Sequence, residues 1–160
     1  MISRWEDIII ETLSRFLIPF MQTYSLYVLA HGHGSPGGGF QGGCIFAASF
    51  VLMVIAYDIF EAKKRFSEKI NGVFCALGVF IYAGIGWLCL LLGGNFLDYG
   101  KLSKILPTDP IMARYYGMAG IETGVQITVM AIMVSIFLDL VTAGRHEEAM
   151  EEEDVGSDSK

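Results

Sequence analysis

Four long apolar runs dominate the chain, and they fix its solvent before they fix its fold. A helix rises about 1.5 Å per residue, so crossing roughly 30 Å of hydrocarbon takes about 20 predominantly apolar residues. Runs of that length lie at 8–30, 40–60, 72–94 and 117–141. The chain is 53% hydrophobic over 160 residues, more than a water-soluble domain of this size needs to fill its core. The expected fold is therefore all-α and integral to a membrane, with four transmembrane helices and a glycine-rich loop between the first and the second. A soluble enzyme is excluded by the same reasoning.

The four runs are not equally clean. The first contains Glu11 and Arg15, spaced i,i+4 so that they can pair on one helix face, and then Pro19, whose ring conflicts with the Arg15 carbonyl and predicts a kink. The second carries Gln41 near its start and Asp58 near its end, and the third has no charged residue. Ahead of the fourth stands T-D-P, where Thr108 or Asp109 can cap a helix and Pro110 suits its first turn. A helix from there to Ala143 would be roughly 51 Å long, so part of it must project from the bilayer.

Lysines and arginines near the span ends set the orientation. Arg4, Lys63, Lys64, Arg65, Lys69 and Arg145 fall on one side, and Lys101, Lys104 and Arg114 on the other. The excess places both termini in the cytoplasm of a multi-pass protein of the cell (inner) membrane. The net charge of −6 does not belong to this body, because residues 147–160 hold seven acids against Lys160. Such a segment repels itself and has little to bury, so 147–160 is expected to be a disordered acidic tail following a membrane domain at 1–146. No cleavable signal peptide is expected, since Glu6, Asp7 and Glu11 interrupt the positive N-terminal character such a signal needs.

The loop H-G-H-G-S-P-G-G-G-F-Q-G-G spans His31 to Gly43. Gly32, Gly34 and Gly37 satisfy the dinucleotide fingerprint G-x-G-x-x-G, but that motif works between a strand and a helix N-terminus, and here both flanks are membrane-length helices. A tight reversal between two helices is the physical reading: five glycines around Pro36 permit unusual backbone angles and close approach. Gly39, Gly43 and Ala47 then recur every fourth residue, a small-residue face for packing against a neighbour, and that pattern implies association. His31 and His33 can titrate or ligate, but a pair without further ligands favours a structural role. Cys44, Cys75 and Cys89 lie in apolar runs without metal-ligand spacing and read as small packing residues. No cofactor and no nucleic acid are implied.

Ionisable groups in a span cost at least about 2.5–3.5 kcal/mol at the helix centre, so each needs a reason. Asp58 and Asp139 lie near cytoplasmic ends and can reach water. Glu122 stands between Gly120 and Gly124 in an apolar helix, with Thr123 beside it and Gln126 one turn on. Gly120, Gly124, Thr128, Ala131 and Ser135 form a small or hydroxylated stripe, as a helix buried against others would show. Glu122 and Gln126 share an adjacent face. The carboxylate could carry a proton, help coordinate a cation, or pair with a basic residue of another subunit. Glu122, Gln126, Thr123 and Asp58 are thus the candidates for an ion pathway or for subunit pairing.

The segment Tyr27-V-L-A-H-G-H-G-S-P-G-G-G-F-Q-G-Gly43 resembles the signature Y-x-x-x-x-G-H-x-x-P-G-G-G-F-x-G-G of the MnhB/MrpB family, the small B subunit of multisubunit monovalent cation/proton antiporters. Arg15-F-L-I-Pro19 supports it, and Ile121-Glu122-Thr123-Gly124-Val125 is similar to the family's F-D-x-G-V. Gly34 stands where Asn is frequent, and Glu122 replaces Asp. The resemblance implies that His31, Gly32, His33, Pro36, Gly37, Gly38, Gly39, Phe40, Gly42 and Gly43 are signature-loop and helix-packing positions. It further implies an accessory, non-enzymatic subunit packed against other hydrophobic subunits in the lipid bilayer, with Na⁺ and H⁺ as the transported ions. The same module occurs in complex I-related membrane hydrogenases and sulfur reductases, where redox chemistry would sit on partner chains. A four-helix scaffold without a transport role is a third reading, which the glycine signature disfavours.

Overall fold

The computed structural model describes residues 4–32, 37–57 and 67–142. The tail at 147–160, Asp58, His33, Gly34 and Pro36 lie outside the described residues. Among those described there are four α-helices and no strand: α1 (Arg4–Ala30), α2 (Gly39–Tyr57), α3 (Glu68–Leu91) and α4 (Pro110–Thr142). A short 3-10 helix, Tyr99–Lys104, lies between α3 and α4.

Three of these helices, α2, α3 and α4, are long and apolar enough to cross a membrane. α1 has the length, at 27 residues, but its first half carries Arg4, Glu6, Asp7, Glu11 and Arg15. The expected pair forms: Arg15 Nη2 donates to Glu11 Oε1 at 3.2 Å on the exposed face. The helix continues through Pro19, and the Thr23 hydroxyl donates back to the Pro19 carbonyl at 2.8 Å.

The ends of α3 and α4 follow local chemistry. α3 stops at Leu91 because Gly93 turns left-handed, with φ +77°. The Gly94 N–H then reaches the Cys89 carbonyl at 3.1 Å and the Gly93 N–H the Leu90 carbonyl at 2.9 Å, a Schellman motif. Lys104 Nζ donates to the Leu92 carbonyl at 2.8 Å, setting a positive charge at the negative end of the α3 dipole. α4 begins at Pro110, where a missing N–H costs nothing, and runs 33 residues, close to the expected extent.

α4 is the central element. Its N-terminal half meets the first turn of α2 at Glu122 and Gly39, and its other end packs Val134 and Leu138 around Met53 and Val54, so α2 and α4 run in the same direction. α3 runs opposite, with Gly78 against Gly124 and Cys89 beside Leu102 and Ala113. α1 lies antiparallel along α2. Phe16, Phe80, Trp87, Leu91 and Leu140 point outward, as lipid-facing side chains do in a protein whose solvent is hydrocarbon.

Two expectations are refined. The small-residue face Gly39, Gly43, Ala47 packs against α4 of the same chain, so the association it implies is satisfied internally. The cysteines divide: Cys89 is fully buried, whereas Cys44 and Cys75 are partly exposed and all three are free thiols.

Candidate functional site

The glycine turn and the Glu122 carboxylate meet. Gly38 closes the turn with φ +154°, a backbone angle that disfavours any side chain. Its carbonyl accepts the Gly42 N–H at 2.9 Å and so starts α2. Glu122, half-buried on α4, leans over this turn. A β-carbon on Gly32 would stand 2.7 Å from Glu122 Oε2, and one on Gly38 would stand 3.6 Å from Oε1. A β-carbon on Gly39 would overlap the backbone carbonyl oxygen of Glu122.

This geometry sets a carboxylate beside the N-terminus of α2, where the first N–H groups lack carbonyl partners within the helix and the dipole is positive. α2 has no acidic residue in its own first turn. Glu122 supplies that negative charge from the neighbouring helix. Among the described residues it has no ion-pair or hydrogen-bond partner, and the ion pair Arg15–Glu11 lies in the opposite half of α1.

One turn further on, three helices are tied by polar side chains. Gln126 Nε2 donates to Ser25 Oγ at 2.8 Å, and Ser25 Oγ donates to the Gly42 carbonyl at 2.7 Å. Gln126 is 5% exposed and Ser25 fully buried. Gly42 and Gly43 make the approach possible: a β-carbon on Gly42 would crowd Gln126 Nε2 at 3.0 Å, and one on Gly43 would meet the Gln126 carbonyl at 2.8 Å.

The other candidates lie apart. Thr123 donates to the Ala119 carbonyl of its own helix at 2.8 Å. His31 is exposed at the end of α1, its Nδ1 3.0 Å from the Tyr27 carbonyl and its ring 4.2 Å from that of Tyr27. Since a carbonyl only accepts, Nδ1 carries the proton. His31, Gly37 and Phe40 line an open groove between α1 and α2 together with Tyr24, Tyr27 and Cys44. No group of three or more His, Cys, Asp or Glu able to hold a metal occurs among the described residues.

Sequence reasoning missed Ser25. Its signal is weak but present: Ser14 and Ser25 are both buried, with half-buried Ile18 between them, on one inward face of α1. It also missed Asn71, buried at the α3–α4 interface, whose Nδ2 donates to the Ala131 carbonyl and to Ser135 Oγ, each at 2.8 Å. Both acceptors belong to the small-residue stripe of α4, which is buried against another helix as its pattern implies, and that helix is α3.

What the arrangement can do follows from its donor set. A carboxylate without a basic partner among the described residues can take up a proton or offer two hard oxygen ligands to a small cation, and Gly32 and Gly38 bring no side chain against it. The profile of the family described as a domain related to the MnhB subunit of Na⁺/H⁺ antiporter matches residues 9–135, which take in the glycine turn and Glu122. The chain is also similar to proteins of Staphylococcus aureus strains Newman and JH1 named "Putative antiporter subunit mnhB2", at 26% identity over 136 residues, 84% of this chain and 94% of theirs. With most of its length matched to that profile, this chain belongs to the MnhB family.

Proposed function

We propose that this chain is an accessory membrane subunit of an Mrp-type multisubunit antiporter that exchanges Na⁺ for H⁺, and that Glu122 serves ion movement there. The observation that carries the reading is the half-buried Glu122 carboxylate, seated over the signature glycine turn and without an ion pair among the described residues. Family membership supplies the setting, and the relatives' name points to an assembly of several subunits.

The subunit crosses the membrane four times with both termini in the cytoplasm. α1 lies along α2, a helix apolar enough to cross, from the Ser25–Gly42 contact to Ile18, which packs against the cluster that holds Ala47, Met53 and Val54. Its charges gather at Arg15 and before, toward the end where Tyr57 closes α2, so residues 16–30 contribute the apolar part. The Lys/Arg excess assigns that end to the cytoplasm.

Purification of the tagged chain in mild detergent, with identification of what accompanies it, tests the assignment. Antiporter subunits alone, together with loss of Na⁺-dependent proton movement in vesicles from cells lacking this chain, are the expected results. Partners carrying nickel–iron or iron–sulfur centres would instead assign the subunit to a redox-driven complex.

A further inference from the structure

Ser25 and Gln126 form the side-chain bridge that joins α1 to α4, and they do so one helical turn from Glu122 on the same face of α4. Two bonds share one hydroxyl. Gln126 donates, Ser25 Oγ accepts that bond and donates onward to the Gly42 carbonyl, so one hydroxyl ties α1, α2 and α4 together. Both side chains are almost wholly buried, where water cannot replace a lost partner.

The other polar tie on α4, from Asn71 to Ala131 and Ser135, lies more than two helical turns further along at the α3 interface, and the contacts nearer Glu122 are steric. The close backbone approaches at Gly39 and Gly43 set how near α4 comes to α2, because nothing but hydrogen fits between them. Steric contact of that kind limits approach and leaves rotation of α4 about its own axis less determined. A directional hydrogen bond limits rotation. The carboxylate sits at the end of a flexible side chain without a partner among the described residues, so its placement over Gly32 and Gly38 depends on where the backbone of α4 points it.

We propose that Ser25 and Gln126 are positioning residues for Glu122: their hydrogen bond fixes the rotation of α4 that aims the carboxylate at the glycine turn, and thereby sets the response of exchange to Na⁺ and to pH. This rests on the assignment of ion movement to Glu122.

The test uses the whole complex in native membranes, with yield, Na⁺-dependent proton movement and its pH profile measured on the same preparations. Ser25→Ala and Gln126→Met remove the bond from either side. Each should assemble and move the half-saturating Na⁺ concentration by about threefold, the factor corresponding to a membrane interhelical hydrogen bond of ordinary strength. The double variant should show the shift of Ser25→Ala alone, not the product of two, because both changes break the Ser25–Gln126 bond and Ser25→Ala already removes the bond to the Gly42 carbonyl as well. In a Glu122→Gln background, Ser25→Ala should add nothing. If Ser25→Ala lowers the yield, Ser25→Cys, which keeps a weak donor, should restore yield and give a smaller shift.

Shifts that multiply, shifts that persist in the Glu122→Gln background, or unchanged Na⁺ and pH responses would overturn the positioning role. So would a yield loss that Ser25→Cys does not restore. If Glu122→Gln leaves exchange unaltered, the assignment of Glu122 itself falls, and the positioning role falls with it. If Glu122→Gln changes exchange while the Ser25 and Gln126 variants do not, only the positioning role is lost.

Discussion

The α-carbon of Gly39 faces the backbone carbonyl oxygen of Glu122 so closely that no β-carbon fits between them. One turn on, Gly43 stands in the same relation to Gln126 and Val129 of α4. The helix that carries the signature glycines and the helix that carries the carboxylate are therefore in backbone contact. That contact explains why a loop motif and a residue about 80 positions later in the chain belong to one site.

Gly43→Leu should separate α2 from α4 within the chain itself. A β-carbon there meets Val129 Cβ and the Gln126 carbonyl, both at 2.8 Å, and the carbonyl cannot swing away as a side-chain tip could. Overpacking of this kind costs roughly 1–3 kcal/mol, occasionally more, and the added isobutyl group places this variant at the upper end. Thermal unfolding of the purified chain in detergent should show the loss before any partner is present. Wild-type stability joined to failed assembly would mean that the glycine face serves another subunit instead.

The α3–α4 interface allows a paired comparison. On Gly78 a β-carbon would clash with the Gly124 carbonyl at 2.6 Å and with Thr128, whereas on Gly120 it would touch only Ile85 Cδ1, the tip of a flexible side chain. Gly78→Ala should therefore destabilise the helix pair by about 1–3 kcal/mol. Gly120→Ala should be nearly neutral or slightly stabilising, because alanine holds a helix better than glycine by up to about 1 kcal/mol. Equal melting temperatures for the two variants would contradict the close contact at Gly78.

Much of this was legible in the sequence, and its limits have physical causes. α2, α3 and α4 were readable because length and apolarity alone define a membrane-compatible helix. The stripe from Gly120 to Ser135 was readable because small residues recur at helical spacing, and it packs on α3. The Glu11–Arg15 pair followed from its i,i+4 spacing. What remained hidden was which helix each small face would meet, since Gly39 and Gly43 fit a neighbour of the same chain as well as one from another. Ser25 and Asn71 were hidden for a different reason. A single small polar residue in an apolar run has no periodic signature, and only its partners on distant helices, Gln126 for one and Ala131 with Ser135 for the other, reveal it.

Single cysteines at Ser67 and Ser103, with Cys44, Cys75 and Cys89 replaced by Ala, test the proposed topology. Ser67 precedes α3, and Ser103 lies in the 3-10 helix beyond its other end. Because α3 is long and apolar enough to cross the bilayer, an impermeant thiol reagent should label the two positions from opposite faces, Ser103 from outside. A third cysteine near the N-terminus should behave like Ser67 if α1 and α2 both cross. Labelling with Ser103 instead would leave α1 on the outer face and reduce the crossings to three.

Glu122→Gln separates the two tasks open to this carboxylate, because the amide keeps size and hydrogen-bonding capacity while removing the charge. A proton carrier or cation ligand needs that charge. The assembled variant should then lose exchange, or shift its pH or Na⁺ dependence, at normal complex yield. A partner for a basic residue on a neighbouring subunit needs it differently, since removing one member of a buried pair leaves the other uncompensated at roughly 3–5 kcal/mol. In that case the complex should assemble poorly, and the molecules that do assemble should exchange ions normally. Within the described part of the chain no basic residue pairs with Glu122, so poor assembly would direct attention to a Lys or Arg of a partner. Normal yield with unaltered flux across pH would remove both roles and leave Glu122 as the counter-charge at the N-terminus of α2, a role whose loss costs only about 0.3–1 kcal/mol and would be visible in thermal unfolding alone.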